Sequence, residues 1–86
     1  MSIISDIGVH RAMDENVHHH RKTVGKNILA FRKQAGMTQE QLSEKADLHC
    51  TYLSDVERGV ENISLDSLAR IAKALKVKLS ELVNDS

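Results

Sequence analysis

The spacing of apolar residues predicts a series of helices that begins near residue 24. Val24, Ile28 and Phe31 recur at helical spacing, so a helix would place all three on one face. Gly36 follows them, and glycine commonly ends a helix because it adopts the left-handed conformation without strain. The pattern therefore predicts helix one over about residues 24 to 35.

The segment Thr-Gln-Glu-Gln at residues 38 to 41 predicts the start of helix two. In a capping box the hydroxyl of Thr38 accepts the backbone N–H of Gln41, and the Gln41 side chain accepts the N–H of Thr38. Helix three follows after a short turn and ends at Gly59. The two helices share an apolar face: Leu42, Ala46, Leu48, Leu53 and Val56, with the small Ser43 beside them.

A wider apolar stripe predicts helix four from Ser64 onward, and Leu-Ser-Glu-Leu-Val at residues 79 to 83 predicts a last helical turn. The predicted fold class is all-α, a compact five-helix bundle with one core. The predicted organisation is a leader over residues 1–22, flexible or partly helical, and one domain over residues 23–86. The stripe of helix four consists of Leu65, Leu68, Ala69, Ile71, Ala72 and Leu75.

Composition agrees with a small helical domain and indicates the cellular compartment of the protein. The 86 residues are 41% hydrophobic, with no proline, one Phe and one Tyr, which disfavours a β-sandwich. A lone cysteine forms no internal disulfide, and the start of the chain lacks the basic and apolar regions of a signal peptide. No apolar stretch approaches the roughly 20 residues that span a bilayer. We therefore expect a cytoplasmic protein that does not bind a membrane.

Charge is balanced overall but unevenly spread. The 12 Lys and Arg residues equal the 12 Asp and Glu residues in number, whereas nucleic-acid binders usually show a basic excess. Residues 21–33 are basic and contain no acidic residue, and residues 34–60 are mainly acidic. Composition alone argues mildly against a nucleic-acid partner, so the case for one depends on the motif.

The spacing across helices two and three is typical of two short helices that pack across a tight turn. The second helix then keeps a polar outer face. A helix of this kind fits the DNA major groove, which is about 12 Å wide. The candidate readers on this face are His49, Cys50, Thr51, Tyr52 and Asp55.

Three segments resemble the Cro and phage-repressor type of helix-turn-helix regulators, over about residues 24 to 83. They are FRKQAGMTQEQLSEKADL at 31–48, TYLSDVERG at 51–59 and ISLDSLARIAKALKV at 63–77. Within this family, LHCTYLSDVERGVENISL at 48–65 looks most like the controller proteins of restriction-modification systems. The resemblance implies a lambda-repressor-like DNA-binding domain that binds double-stranded DNA at paired half-sites. It also implies a homodimer formed largely through the C-terminal helices.

The resemblance further implies roles for individual side chains. Gln39 stands where the family has a glutamine that binds a DNA phosphate, and Arg58 and Asn62 stand where the family contacts the DNA backbone again. Arg32 and Glu57 stand where the family has an ion pair that joins helix one to helix three, which would make both residues structural. The base-facing positions are Cys50, Thr51, Tyr52 and Asp55.

Two residues depart from the family's pattern. Asp47 replaces the usual glycine of the turn, which is tolerable because Asp enters the left-handed region more easily than most residues. Cys50 replaces the arginine that would make a bidentate contact to guanine. The base preference of this chain therefore cannot be taken from its relatives.

One copy of so small a domain reads only a few base pairs, so we expect specificity to come from a two-fold dimer. Such a dimer places two copies of helix three about 34 Å apart on one face of the duplex, which makes the operator near-palindromic. The predicted contributors to the dimer contact are Leu79, Leu82 and Val83.

Each interpretation has an alternative. Tyr52 suits packing as well as DNA contact, and Cys50 at a helix N-terminus suits a redox sensor. The run from His18 to His20 suits a metal ion, although three consecutive histidines on a helix cannot all face one ion. The fold also suits an antitoxin-like or coactivator-like adaptor that mainly binds a protein. An enzyme is disfavoured because no nucleophile, base and orienting group recur at usable spacing. We expect no metal, cofactor or small-molecule ligand.

Overall fold

The structure, a computed structural model, describes the backbone of residues 3–85 and the side chains of residues 19–85. This part of the chain folds into five helices and contains no strand, which confirms the predicted all-α class. The helices are α1 (Ile3–Gln34), α2 (Gln39–Ala46), α3 (Cys50–Glu57), α4 (Leu65–Leu75) and α5 (Leu79–Val83).

The first helix is much longer than predicted, because α1 begins at Ile3 and not near residue 24. Residues 9–24 contain neither glycine nor proline, so no local feature stops the helix before the core begins. Apolar spacing missed this extension because it reports packing against a core, which a helix does not require at every turn. The side chains of residues 1–18, including His18, lie outside the described residues. The division at residue 22 stays a prediction, and α1 runs across it without a break.

Helix ends follow the local chemistry that the sequence indicated. The Thr38 hydroxyl accepts the N–H of Gln41 at 3.1 Å, and the Gln41 side-chain oxygen accepts the N–H of Thr38 at 2.9 Å, which confirms the capping box. Gly36 has φ +70° after the end of α1, and Asp47 has φ 58° after the end of α2. Both left-handed residues therefore lie where the sequence placed the turns on either side of α2.

The core lies where the five helices meet. Leu65 is 69% exposed and Ala69 is also exposed, which corrects the predicted stripe of α4. Leu65 opens the helix at the edge of the core, and Ala69 is rotated away from the buried positions that recur every three to four residues. The fully buried side chains are Ile28, Leu42, Leu53, Val56, Ile71 and Leu82, and other buried members of α4 are Leu68, Ala72 and Leu75.

The C-terminal segment is fastened to α1 by hydrogen bonds. The side-chain amide of Asn27 donates to the carbonyls of Leu82 at 2.9 Å and Asn84 at 2.8 Å. Asp85 lies 2.8 Å from His19 Nε2 and accepts the Thr23 hydroxyl at 3.1 Å. These bonds, first that from His19 and then that from Thr23, lower the pKa of the Asp85 carboxyl below its usual value. They hold α5 in one position against α1.

Gly25 brings the backbone of α1 directly against the end of α3. A Cβ at this position would lie 2.3 Å from the carbonyl oxygen of Val56 and 2.7 Å from that of Glu57, closer than two unbonded atoms can approach. Only glycine allows the two helices to meet at this distance. The position of α3 therefore depends on α1.

We expect Gly25→Ala to destabilise the protein by about 1–3 kcal/mol or more, because the added methyl group must push α1 and α3 apart. In an unconstrained helix the same change stabilises by roughly 0.5–1 kcal/mol, so the sign of the effect is diagnostic. Urea unfolding measures it. Lys26→Ala, at an exposed neighbouring position, is the control. A Gly25→Ala midpoint equal to or above that of the control would contradict the close packing.

Candidate nucleic-acid interface

A tight turn fixes the angle between α2 and α3. Asp47 adopts φ 58° and ψ 51°, and the N–H of Leu48 then donates to the carbonyl of Ser43 at 2.8 Å. Ser43 is buried, and its hydroxyl donates to the carbonyl of Glu40 at 2.9 Å. A larger side chain at Ser43 would displace α3, which explains the small residue in the motif.

Two buried side chains orient α3. Leu53 and Val56 are enclosed in the core, so the opposite side of the helix faces outward. We call the set of residues with a predicted DNA contact the reading surface: Gln39, His49, Cys50, Thr51, Tyr52, Asp55, Arg58 and Asn62. Its members at the start of α3 form one patch, with His49 and Thr51 exposed and Cys50 half-buried.

Tyr52 has contacts within the protein. Its hydroxyl donates to the carbonyl of Asn62 and accepts the N–H of Ser64, both at 3.3 Å, and its ring packs against the core. This geometry favours the packing alternative for the hydroxyl, because both bonds tie α3 to the loop that precedes α4. The base contact of Tyr52 stays a prediction.

Asp55 and Arg58 form a salt bridge with each other on the outer side of α3. The Arg58 side chain is 66% exposed, so water screens this pair strongly. Within the reading surface, Arg58 is the one residue with a formal positive charge and Asp55 is the one with a formal negative charge. The reading surface therefore has no net charge of its own.

A buried ion pair joins the helices behind the reading surface. Arg32 Nε donates to Glu57 Oε2 at 2.7 Å, and Arg32 Nη2 donates to Glu57 Oε1 at 3.0 Å, a bidentate geometry. The side chains are only 11% and 3% exposed. The hydrogen bonding of Arg32 to the Glu57 carboxylate raises the pKa of the Arg32 guanidinium above its usual value. Because folding raises the pKa of Arg32, its contribution to the free energy of unfolding is fully present at every pH below the ordinary pKa of arginine.

Two further hydrogen bonds extend this ion pair to α2. The Gln39 side-chain amide donates to Glu57 Oε1 at 2.9 Å, and Arg32 Nη1 donates to the carbonyl of Met37 at 2.9 Å. The end of α1, the start of α2 and the end of α3 are thus joined at one carboxylate. No pattern in the sequence predicted the hydrogen bond that Gln39 donates to Glu57. The phosphate contact of Gln39 stays a prediction.

The predicted dimer residues divide between core and surface. Leu82 is fully buried in the core of its own protomer, so the expectation that it contacts a second copy is corrected. It points towards α1 because α5 is anchored there, and this leaves it no surface for a partner. Leu79 is 36% exposed and Val83 is 49% exposed.

In the part of the chain that the structure describes, no helix is long and apolar enough to cross a membrane.

Comparison with known proteins decides the family. The family profile described as helix-turn-helix matches residues 28–82. This chain belongs to the helix-turn-helix family. It is 42% identical over 65 residues to control protein C.BamHI of Bacillus amyloliquefaciens, an alignment that covers 74% of this chain and 80% of that protein.

Two solved structures share this helix-turn-helix fold. The restriction-modification controller protein C.AhdI from Aeromonas hydrophila superposes with a TM-score of 0.71 at 32% identity, over 72% of this chain and 94% of that one. The biofilm master regulator SinR in complex with DNA superposes with a TM-score of 0.69 at 32% identity, over 71% of this chain and 98% of that one. The chain is a transcriptional regulator of the helix-turn-helix type and not an enzyme, as the sequence indicated.

We expect Glu57→Ala to lower the free energy of unfolding by about 3–5 kcal/mol, because it strands the Arg32 charge at a buried position. Arg32→Ala should cost a similar amount. The double change Arg32→Met/Glu57→Leu should recover much of the loss, since neither charge then lacks a partner. Urea unfolding curves provide the measurement.

The matched control for these variants is Asp55→Ala, which breaks the exposed ion pair with Arg58 on the same helix and should cost less than about 1 kcal/mol. Equal losses for Glu57→Ala and Asp55→Ala would show that the buried pair does not hold α3 in place.

Proposed function

We propose that this protein is a sequence-specific regulator that binds double-stranded DNA as a homodimer on near-palindromic operators, and that it controls a restriction-modification system. The observation that carries the proposal is α3 itself. Its apolar side is locked into the core by Leu53 and Val56, while its first turn presents an exposed polar patch at the end of a tight turn. The control proteins among its relatives support the assignment to restriction-modification.

The two kinds of DNA contact come from different parts of the reading surface. α3 enters the major groove, in which the base edges are exposed, and presents Cys50, Thr51 and Asp55 to them. The ring of Tyr52 lies beside these residues and adds contact surface. Three of the other four members hold the DNA backbone and carry no base preference of their own. These are Gln39 at the start of α2, Arg58 at the end of α3, and Asn62 in the loop after it.

The second copy docks on α5. Leu79 and Val83 are exposed and stand four residues apart, so they share one face of the helix. The hydrogen bonds of Asn27 fix this face relative to α1. A rigid dimer contact is needed because the two copies of α3 must match half-sites about 34 Å apart. The regulator acts in the cytoplasm, on duplex DNA there.

Selection of binding sites from a random duplex library tests this function. We expect the selected sequences to share two inverted half-sites whose centres are one helical turn apart, because the dimer is two-fold symmetric. Thr51→Ala should change the selected bases within each half-site and leave the spacing unchanged. Recovery of no preferred sequence would overturn the proposal in favour of an adaptor that binds protein.

The dimer is tested with the same selected duplex. Leu79→Gln/Val83→Gln should sediment as a monomer at concentrations where the wild type is a dimer, and should bind one half-site without cooperativity. Ala69→Gln, an exposed apolar position on α4, is the control and should behave as the wild type. Dimers of unchanged affinity in the double variant would place the interface elsewhere.

A further inference from the structure

The reading surface lacks the positive charge that DNA binding requires. Its cation, Arg58, is neutralised by Asp55. Binding to duplex DNA depends on the neutralisation of phosphates by Lys and Arg, which releases counterions. The missing cations must therefore come from a neighbouring part of the molecule.

The basic part of α1 lies beside the reading surface. Lys22 packs on Gly59 at the end of α3, since a Cβ at Gly59 would lie 3.0 Å from Lys22 Cγ and 3.1 Å from Lys22 Cα. The left-handed φ of +77° at Gly59 turns the chain into the loop that contains Asn62. The backbone of α1 at Lys22 is thus held next to the loop that contains Asn62, a residue with a predicted contact to the DNA backbone.

A groove of about 250 Å³ separates this part of α1 from the loop. Apolar residues of the core line it together with His20, Arg21, Glu61 and Asn62. Arg21 Nε is buried there and has no hydrogen-bond partner among the described residues. A buried guanidinium N–H without an acceptor is costly, so the site favours a ligand that supplies one.

The local charges favour an anion in this groove. Within the described residues neither Arg21 nor Lys22 forms a salt bridge, and the sequence has no acidic residue from Val17 to Gln39. Glu61 is the carboxylate that lines the groove, and its Oε1 already accepts the N–H of Asn62 at 3.1 Å. A phosphate oxygen is a strong acceptor that matches the guanidinium geometry.

We propose that Arg21, at this groove, and Lys22, beside it at Gly59, each bind a backbone phosphate of the DNA and supply the charge that the reading surface lacks. Arg21 and Lys22 lie outside residues 28–82, which the family profile matches, whereas the loop on the other side of the groove lies within them. The inference rests on the proposed function, because it assigns a phosphate contact to the same DNA complex.

The salt dependence of binding to a mixed-sequence duplex tests the site. Each of Arg21→Gln and Lys22→Gln should weaken binding and reduce the slope of log K against log salt by about 0.9, the change for one lost phosphate contact. Both variants should bind the selected operator and the mixed-sequence duplex with the same fold-loss, because a phosphate contact carries no base preference.

Lys73→Gln is the matched control, because it removes one exposed cation from α4, where Lys73 lines a different groove with Lys45 and Arg70. Its salt slope should equal that of the wild type. Glu61→Gln should bind more tightly than the wild type, because it removes the carboxylate beside the phosphate. Urea midpoints of all four variants should match the wild type, so that lost binding is not lost folding.

The outcomes separate the two proposals. If the wild type binds neither duplex, the proposed function fails. If the wild type binds with a steep salt slope and Arg21→Gln and Lys22→Gln keep that slope, only the phosphate site fails. A large drop in the urea midpoint of both Arg21→Gln and Glu61→Gln would instead show that Arg21 pairs with Glu61 as a structural contact, which also overturns the site.

Discussion

The position of α3 depends on one buried carboxylate. Glu57 accepts two hydrogen bonds from Arg32 and one from Gln39, so α1, α2 and α3 meet at its two oxygens. A buried ion pair adds little net stability relative to apolar packing, but the loss of one partner is costly. The pair therefore permits one arrangement of the three helices and penalises others. Gly25 reinforces this arrangement, because it lets α1 approach the same end of α3.

This constraint also explains how an acidic helix can face DNA. Of the two carboxylates of α3, Glu57 is turned inward to Arg32 and Asp55 is paired with Arg58. Neither is left as a free charge towards phosphates, but the two pairings also use up the neighbouring arginines. Charge for DNA binding must then be supplied beside α3, and the basic part of α1 at Arg21 and Lys22 is positioned there by the contact of Lys22 with Gly59. Balanced overall composition is compatible with DNA binding when cations are concentrated at one surface.

The parts of the structure that short-range chemistry determines could be predicted from the sequence. The capping box of Thr38 and the left-handed residues Gly36 and Asp47 depend on a few adjacent residues, and α2 to α5 lie where the pattern placed them. The start of α1 could not be predicted, because regular apolar spacing begins only at Val24 and the isoleucines at residues 3, 4 and 7 are only partly at helical spacing. The burial of Leu82 depends on how α5 docks on α1, which is a long-range contact.

The site shows the same division. Apolar spacing predicted which side of α3 is buried, because Leu53 and Val56 follow helical geometry. The hydrogen bonds of the Tyr52 hydroxyl and of the Gln39 amide join residues 10 to 18 positions apart, so no local pattern reports them. The acid-free run around Arg21 and Lys22 was visible in the sequence, but its place beside the α3–α4 loop required the fold.

We propose that the polar side of α3, which the bonds of Arg32 and Gln39 to Glu57 hold in place, is the surface that meets DNA. Backbone amide chemical shifts of the labelled protein, followed by NMR during titration with the selected duplex, test it most directly. We expect the largest shifts at Gln39, at residues 49–52 and at residues 58–62. Largest shifts in the groove between α2 and α4, at Lys45, Arg70 and Lys73, with little change in α3, would contradict it.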